Sequence, residues 1–296
     1  MPTLPPLHRW DVPTPCGLVH IVHGMAEYGA RYARLATALT AAGYTVWAHD
    51  HRGHGDHVTA GALAGHFGDS GGWDGLVDDA WAVSQALQAS SPGVPLLLFA
   101  HSMGSFVGQA LIGQHGDAYR GVVLCGSNGP PGALEGAGVA VARLERLLRG
   151  PRTPSVWLQG LVFGTYNREF APVRTEVDWL SRDPAAVDAY VADPQCGRPL
   201  TTRAWCDFLE GKATLGTSSV LRSIPTALPI RLIAGDRDPV GEMGKGVARL
   251  HEVYVDAGLT QVSLQLYPDA RHELVNEINR DEVTRDLIAW FDAQTP

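Results

Sequence analysis

The chain has 296 residues, a formal net charge of −8 and 45% apolar side chains, enough for a large folded domain with a substantial core and unlike a disordered chain. Acidic residues outnumber basic ones, 31 to 23, and no basic stripe runs along the sequence, which argues against a nucleic-acid partner. No run of about 18 apolar residues occurs, so no segment reads as a membrane span.

The elements alternate between strand and helix. Residues 18–22 read as an early apolar strand that runs into His23-Gly24-Met25. Residues 32–42 read as a helix ended by Gly43, and 44–48 as the next strand. Over residues 73–90, Leu76, Val77, Ala80, Val83 and Leu87 fall near helical spacing. Then come a strand at 95–99, a helix at 105–115 and a strand at 121–125. After a long gap, strands at 230–234 and 262–266 flank a helix at 246–257, and a helix at 280–292 follows. This rhythm predicts an α/β fold with a mostly parallel sheet covered on both faces. Ligands of such sheets bind beyond the carboxyl ends of the strands.

Residues 127–228 break the rhythm. They hold one amphipathic helix candidate at 133–149 and several Pro/Gly breaks, and they lie between two core strands. The expected organisation is therefore a core of residues 1–126 and 229–296 with an inserted helical cap, or lid, at 127–228. Val139, Leu144, Leu147, Leu148, Trp157, Leu158, Leu161, Val162 and Phe163 supply its apolar surface. They either pack the cap onto the core or line a tunnel for an acyl chain.

The chemistry concentrates at Ala100-His101-Ser102-Met103-Gly104, set between a strand and a helix. A serine at such a turn is lifted clear of the sheet in a strained backbone conformation with φ > 0. Small residues are needed on either side. Gly104 meets that need, and Ala100 departs from the usual glycine by one methyl group. The helix start also points free N–H groups at a developing oxyanion, which makes Met103 N–H one donor and Met25 N–H, in the His-Gly turn, the other. Asp238 and His272 follow Ser102 in the chain order serine, acid, histidine. Asp236, two residues before Asp238, is the fallback acid.

Residues His23 to Tyr32, Asp50-His51-Arg52-Gly53-His54-Gly55, the serine turn, Asp238-Pro239-Val240 and Tyr267-Pro268-Asp269-Ala270-Arg271-His272-Glu273 together resemble the monoacylglycerol lipase/lysophospholipase branch of the α/β-hydrolase superfamily. The resemblance spans nearly the whole chain. It implies an α/β-hydrolase fold with a cap, and a triad of Ser102, Asp238 and His272 with Met25 and Met103 as oxyanion donors. It also implies a serine hydrolase acting on small lipid or ester substrates through an acyl-enzyme, with no cofactor. Transient contact of the cap with a membrane surface is compatible with that reading.

Other readings stay open on the residues. A proline-type aminopeptidase or an acyltransferase uses the same fold, and Glu27 beside the oxyanion turn is a candidate to hold a free amine. A non-catalytic ligand-binding member requires a broken triad, and no break is visible. His49, His51, His54 and His57 with Asp50 and Asp56 are of metal-ligand type, but they occupy a Gly-rich loop expected to lack a helix that would align them. Metal is therefore not expected, and Asp50 is read as a structural turn former. Cys16, Cys125, Cys196 and Cys206 form no CxxC and read as reduced thiols of a cytoplasmic protein. Residues 1–6 lack the pattern of a signal peptide.

Overall fold

The computed structural model describes residues 4–130 and 133–295, with backbone alone for 133–136. The reading of residues 1–3 as free of a leader, and their place in the core, lie outside the described residues. The core elements before the insertion are β1 (Leu7–Trp10), β2 (Gly17–Val22), α1 (Ala33–Ala41), β3 (Tyr44–His49), α2 (Gly55–Thr59), α3 (Gly72–Ser90), β4 (Leu96–His101), α4 (Met103–His115) and β5 (Gly121–Cys125). The insertion carries α5 (Ala133–Arg149), α6 (Val156–Phe163), α7 (Pro184–Ala192), α8 (Thr202–Thr214) and α9 (Ser218–Ser223). The core resumes with β6 (Ile230–Gly235), α10 (Lys245–Asp256), β7 (Val262–Tyr267) and α11 (Arg280–Asp292).

The strands form one seven-stranded sheet in the order β1-β3-β2-β4-β5-β6-β7. β1 pairs antiparallel with β3, and the other neighbours are parallel. β1 was not expected from the sequence. It has four residues and a half-exposed pattern, as befits a short edge strand. α2 is a second difference, since the Gly-rich loop does hold one helical turn.

Alternation along the strands builds two apolar layers. In β4, Leu96, Leu98 and Ala100 join the side chains of α3, α4 and α10, whereas Leu97 and Phe99 join those of α1 and α11. Successive side chains of a strand face opposite ways, so a strand sandwiched by helices must be apolar throughout. Each fully buried leucine contributes roughly 1.5–3 kcal/mol.

Register then positions the chemistry. Val22 of β2 pairs with Ala100 of β4, and Gly235 of β6 pairs with Tyr267 of β7. The turn at Gly24 and the turn at Ser102 thus leave adjacent strands at the same height. The loops bearing Asp238 and His272 do likewise.

Among the described residues, no strand of the sheet lies within 127–228. α5 packs on α8, and α8 packs on α3 of the core. No helix among the described residues is long and apolar enough to cross a membrane. Cys16, Cys125, Cys196 and Cys206 are all free thiols.

Candidate active site

Ser102 sits between β4 and α4 with φ 53° and ψ −123°, a conformation that costs on the order of 1–3 kcal/mol in a non-glycine residue. Close packing around it explains the small neighbours. A Cβ on Gly104 would lie 2.3 Å from the Val22 carbonyl oxygen and 2.4 Å from that of His23. Ala100 is accommodated by Gly108, one turn further along α4, where an added Cβ would stand 3.0 Å from the Ala100 methyl. The Ser102 carbonyl accepts hydrogen bonds from the Ser105 N–H at 2.8 Å and the Ser105 hydroxyl at 2.6 Å.

The structure brings Ser102, His272 and Asp238 into line. His272 Nε2 lies 2.8 Å from Ser102 Oγ, and its Nδ1 lies 2.9 Å from Asp238 Oδ2. The second carboxylate oxygen, Oδ1, accepts from the Val240 N–H at 2.9 Å. With Asp238 accepting at Nδ1, the Nε2 lone pair is left to receive the serine proton. Asp238 and His272 are buried. Burial disfavours the imidazolium, but the charge and hydrogen bond of Asp238, with the charges of Glu273 and Glu27, outweigh it and hold His272 above its ordinary 6.5. The fallback acid, Asp236, stands outside this line and instead accepts from the Asp269 N–H at 2.7 Å, tying the two loops together.

The turn after β2 is organised by side chains. The Gly24 N–H donates to Glu27 Oε1 at 2.6 Å, and the Ala26 N–H donates to His54 Nε2 at 3.2 Å. Ala26 itself has φ 59°. Between them lies Met25, which lines the cavity together with Met103. Met103 is the first residue of α4, so its N–H has no acceptor within the helix.

Behind the turn, buried His20, His23, His49, His51 and His54 pack tilted or edge-on against one another, with centroids 4.4 to 6.5 Å apart. Hydrogen bonds to the backbone fix the tautomers of His23, His51 and His54. His23 Nε2 accepts from the His51 N–H at 2.9 Å, so its Nδ1 donates to the Gly24 carbonyl at 2.7 Å. Burial pushes His54 down to about 4 and His20 down to about 3. They are neutral scaffold. The part played by His20 and His23 went unread in the sequence, where only the 49–57 segment looked like a histidine cluster.

Asp50 behaves as a turn former. It accepts from the Gly29 N–H at 2.7 Å and the Asp56 N–H at 2.8 Å, and pairs with His8 at 3.1 Å. Among the described residues, His8, Asp50 and Asp56 are the trio whose ligand-type atoms all come within 4.8 Å of one another. That trio is not the set the sequence suggested.

Glu27 is buried beside the turn. Besides Gly24 it accepts from the Tyr32 hydroxyl at 2.8 Å and pairs with Arg31 at 2.6 Å. Arg31 also grips both oxygens of Glu273, at 2.7 and 2.8 Å. Burial raises the Glu273 carboxyl, but the Arg31 charge and hydrogen bonds outweigh it and hold it below the ordinary carboxylate range.

A cavity of about 620 Å³ opens over Ser102. Its floor is Gly24, Met25, Met103 and His272, and its walls come largely from the insertion, including Val162, Phe163, Trp179, Tyr190, Trp205 and Phe208. The insertion touches His272 directly. Trp179 lies 5.2 Å from the His272 ring, centroid to centroid, and the Leu180 carbonyl accepts from the Glu273 N–H at 2.7 Å. Of the apolar residues the sequence singled out, Leu158 is buried, and Val162 and Phe163 line the cavity. Leu144, Leu147, Leu148, Trp157 and Leu161 do neither; they are exposed.

The family described as serine aminopeptidase, S33, matches residues 13–279. A monoacylglycerol lipase of Mycolicibacterium smegmatis is 28% identical over 94% of this chain and 88% of its own. The human monoglyceride lipase is 27% identical over 95% of this chain and 84% of its own. A thermostable carboxyl esterase from Bacillus coagulans, solved in complex with glycerol, superposes with a TM-score of 0.90 at 29% identity, covering 98% of this chain and 94% of that one. The chain is thus an α/β-hydrolase and belongs to the serine aminopeptidase, S33, family.

Proposed function

We propose that the protein is a serine carboxylic-ester hydrolase that cleaves monoacylglycerol-type lipid monoesters. The carrying observation is the unbroken line Ser102–His272–Asp238, with contacts of 2.8 and 2.9 Å, beneath a mainly apolar cavity. Ser102 Oγ attacks the ester carbonyl carbon while its proton passes to His272 Nε2. The oxyanion that forms is received by the N–H groups of Met25 and Met103. As the intermediate collapses, the ester C–O bond breaks and the alcohol leaves with the proton from His272. Water repeats the sequence on the acyl-enzyme, releasing the carboxylic acid and free Ser102. Asp238 holds the imidazole tautomer throughout.

The relatives named as lipases, and the esterase that holds glycerol, support the substrate class. The family description names a peptidase, and the site speaks against that reading. An aminopeptidase needs a carboxylate for the substrate ammonium, and Glu27 is already committed to Gly24, Tyr32 and Arg31. In this reading residues 127–228 form the cap. The outward leucines on α5 and Trp157 on α6 touch a lipid surface transiently, and the four free thiols fit a cytoplasmic protein.

Fluorophosphonate labelling of the wild type and Ser102→Ala tests the nucleophile. The wild type is expected to label and the variant to remain unlabelled, with hydrolysis reduced by a factor on the order of 10⁵–10⁶. Equal labelling sinks the assignment. A panel of p-nitrophenyl butyrate, monoacylglycerols, lysophospholipids and aminoacyl-naphthylamides tests the substrate class. Turnover of the naphthylamides alone would favour the peptidase, and acyl transfer to added alcohols in preference to water would favour the transferase.

A further inference from the structure

Every backbone N–H of the segment 24–26 but that of Met25 is tied to a side chain of the core, as described above. The carbonyl of Ala26 is held from the other side. It accepts from the Tyr190 hydroxyl at 3.0 Å and from the Gly197 N–H at 2.9 Å. The Gly197 N–H also lies 3.1 Å from the Tyr190 hydroxyl oxygen, closing a small triangle. Tyr190 belongs to α7 and Gly197 to the loop after it, so both donors come from the insertion. The Arg31 guanidinium lies over the Tyr190 ring, 4.9 Å from its centroid, and the same guanidinium pairs with Glu27, whose other oxygen holds Gly24. Next along the chain, the Tyr28 hydroxyl donates to Asp193 Oδ2 at the end of α7, at 2.7 Å.

We propose that Tyr190 is a positioning residue for the oxyanion turn: seating the insertion on the core and aiming the Met25 N–H at the reacting carbonyl are one event. The inference rests on the reading of Ser102 as nucleophile and Met25 as oxyanion donor. Its physical basis is the set of backbone torsions at Met25 and Ala26 that lie between the Met25 N–H and the Ala26 carbonyl. The Ala26 φ of 59° is uncommon for alanine, and the turn keeps it because both the N–H and the C=O of Ala26 are pinned. Releasing the carbonyl lets the 25–26 segment relax, and the Met25 N–H swings with it. Burial pushes the Tyr190 phenol well above its ordinary value, so it remains a donor across the working pH range. When the insertion lifts, the hole loses its alignment at the same moment that the cavity opens to water, which suppresses hydrolysis in the unseated state.

The test is Tyr190→Phe, which keeps the ring over Arg31 and removes the hydroxyl. Losing an oxyanion donor outright costs about 10²–10³ in kcat. Loosening one of the two bonds to the carbonyl is expected to lower kcat on p-nitrophenyl butyrate about tenfold, with KM within about twofold. Affinity for an alkyl trifluoromethyl ketone, whose hemiketal carries the oxyanion, should weaken by the same factor, while inhibition by butyrate stays unchanged. An unchanged kcat in folded Tyr190→Phe overturns the proposal, as does a rise in KM alone, which would make Tyr190 a substrate contact. If Tyr190→Phe does not fold, Tyr28→Phe decides. A smaller fall in kcat with the same parallel loss of ketone affinity supports the coupling, and unchanged kinetics overturns it. Ser102→Ala separates the two levels: full activity in that variant removes the nucleophile itself, whereas an inactive Ser102→Ala beside an unaffected Tyr190→Phe removes only the coupling.

Discussion

The sheet side of the cavity and the insertion side treat their polar groups differently. On the sheet side, Ser102, Asp238 and His272 leave the ends of paired strands, and their polar groups are partnered by one another and by the Val240 N–H. On the insertion side, the lining is mostly aromatic and aliphatic, and its helices turn leucines outward; Leu147 is 81% and Leu148 is 74% exposed. The first wall is specified by strand register and tolerates little. The second is specified by volume and apolar character, and tolerates exchange. On the proposed function, chemistry resides in the rigid wall and substrate choice in the adaptable one.

Four changes would break or sharpen that contrast. The largest effect belongs to the rigid wall. Asp238→Asn preserves shape but removes the anion that fixes the imidazole, and kcat is expected to fall by about 10⁴. Stopped-assay hydrolysis of p-nitrophenyl butyrate reads it, and a loss under tenfold would detach Asp238 from the reaction. Next comes pH. Because His272 is held above 6.5, the imidazolium persists to higher pH than in a free histidine and cannot accept the Ser102 proton. The log of kcat/KM should rise with unit slope and level off at a midpoint above 6.5. The same shift adds stability below the unfolded value, near 6.5, that is lost as pH rises through the folded one. An acid limb centred below 6 would contradict the environment described.

On the adaptable wall, Phe163→Ala removes a half-buried ring stacked on Trp179 at 5.7 Å. A several-fold shift toward longer or bulkier acyl chains is expected in a chain-length series, at a cost of about 1–2 kcal/mol in denaturant unfolding. An unaltered chain-length profile would place the acyl group elsewhere. The smallest change is Leu148→Glu. Stability should move by no more than about 0.5 kcal/mol and activity on dissolved esters should hold, while turnover of monoacylglycerol in vesicles falls. Equal rates on vesicles would detach the outward leucines from lipid contact.

The sequence was most readable where local signals and fold agree. The apolar strands β2 to β7 and the serine turn combine short hydrophobic runs with small-residue breaks, and each reads without knowledge of the rest. β1 was missed because four half-exposed residues carry almost no periodicity. Within the insertion only α5 was read. Yet α7 opens with Asp183 capping the Ala185 N–H and Pro184 in the first turn, and α8 opens with Thr201 capping the Ala204 N–H. Those capping signals were present, but no regular repeat announced them. The Glu27–Arg31–Glu273 cluster and the Tyr190 contact were illegible for another reason. They join residues as much as 242 positions apart, and only the strand order brings them together.

The pairing of Ala100 with Gly108 bears on how such turns are recognised at all. A pattern that insists on glycine two places before the serine encodes a shape limit as a letter. Here the limit is shared with a residue six places after the serine, and the missing atom has moved from one side of the contact to the other. Ala100→Gly would open a small void, and Gly108→Ala would crowd the strand, so the two positions are expected to vary together rather than singly. Recognition rules that sum the bulk at both sites would retain chains like this one that a fixed string discards.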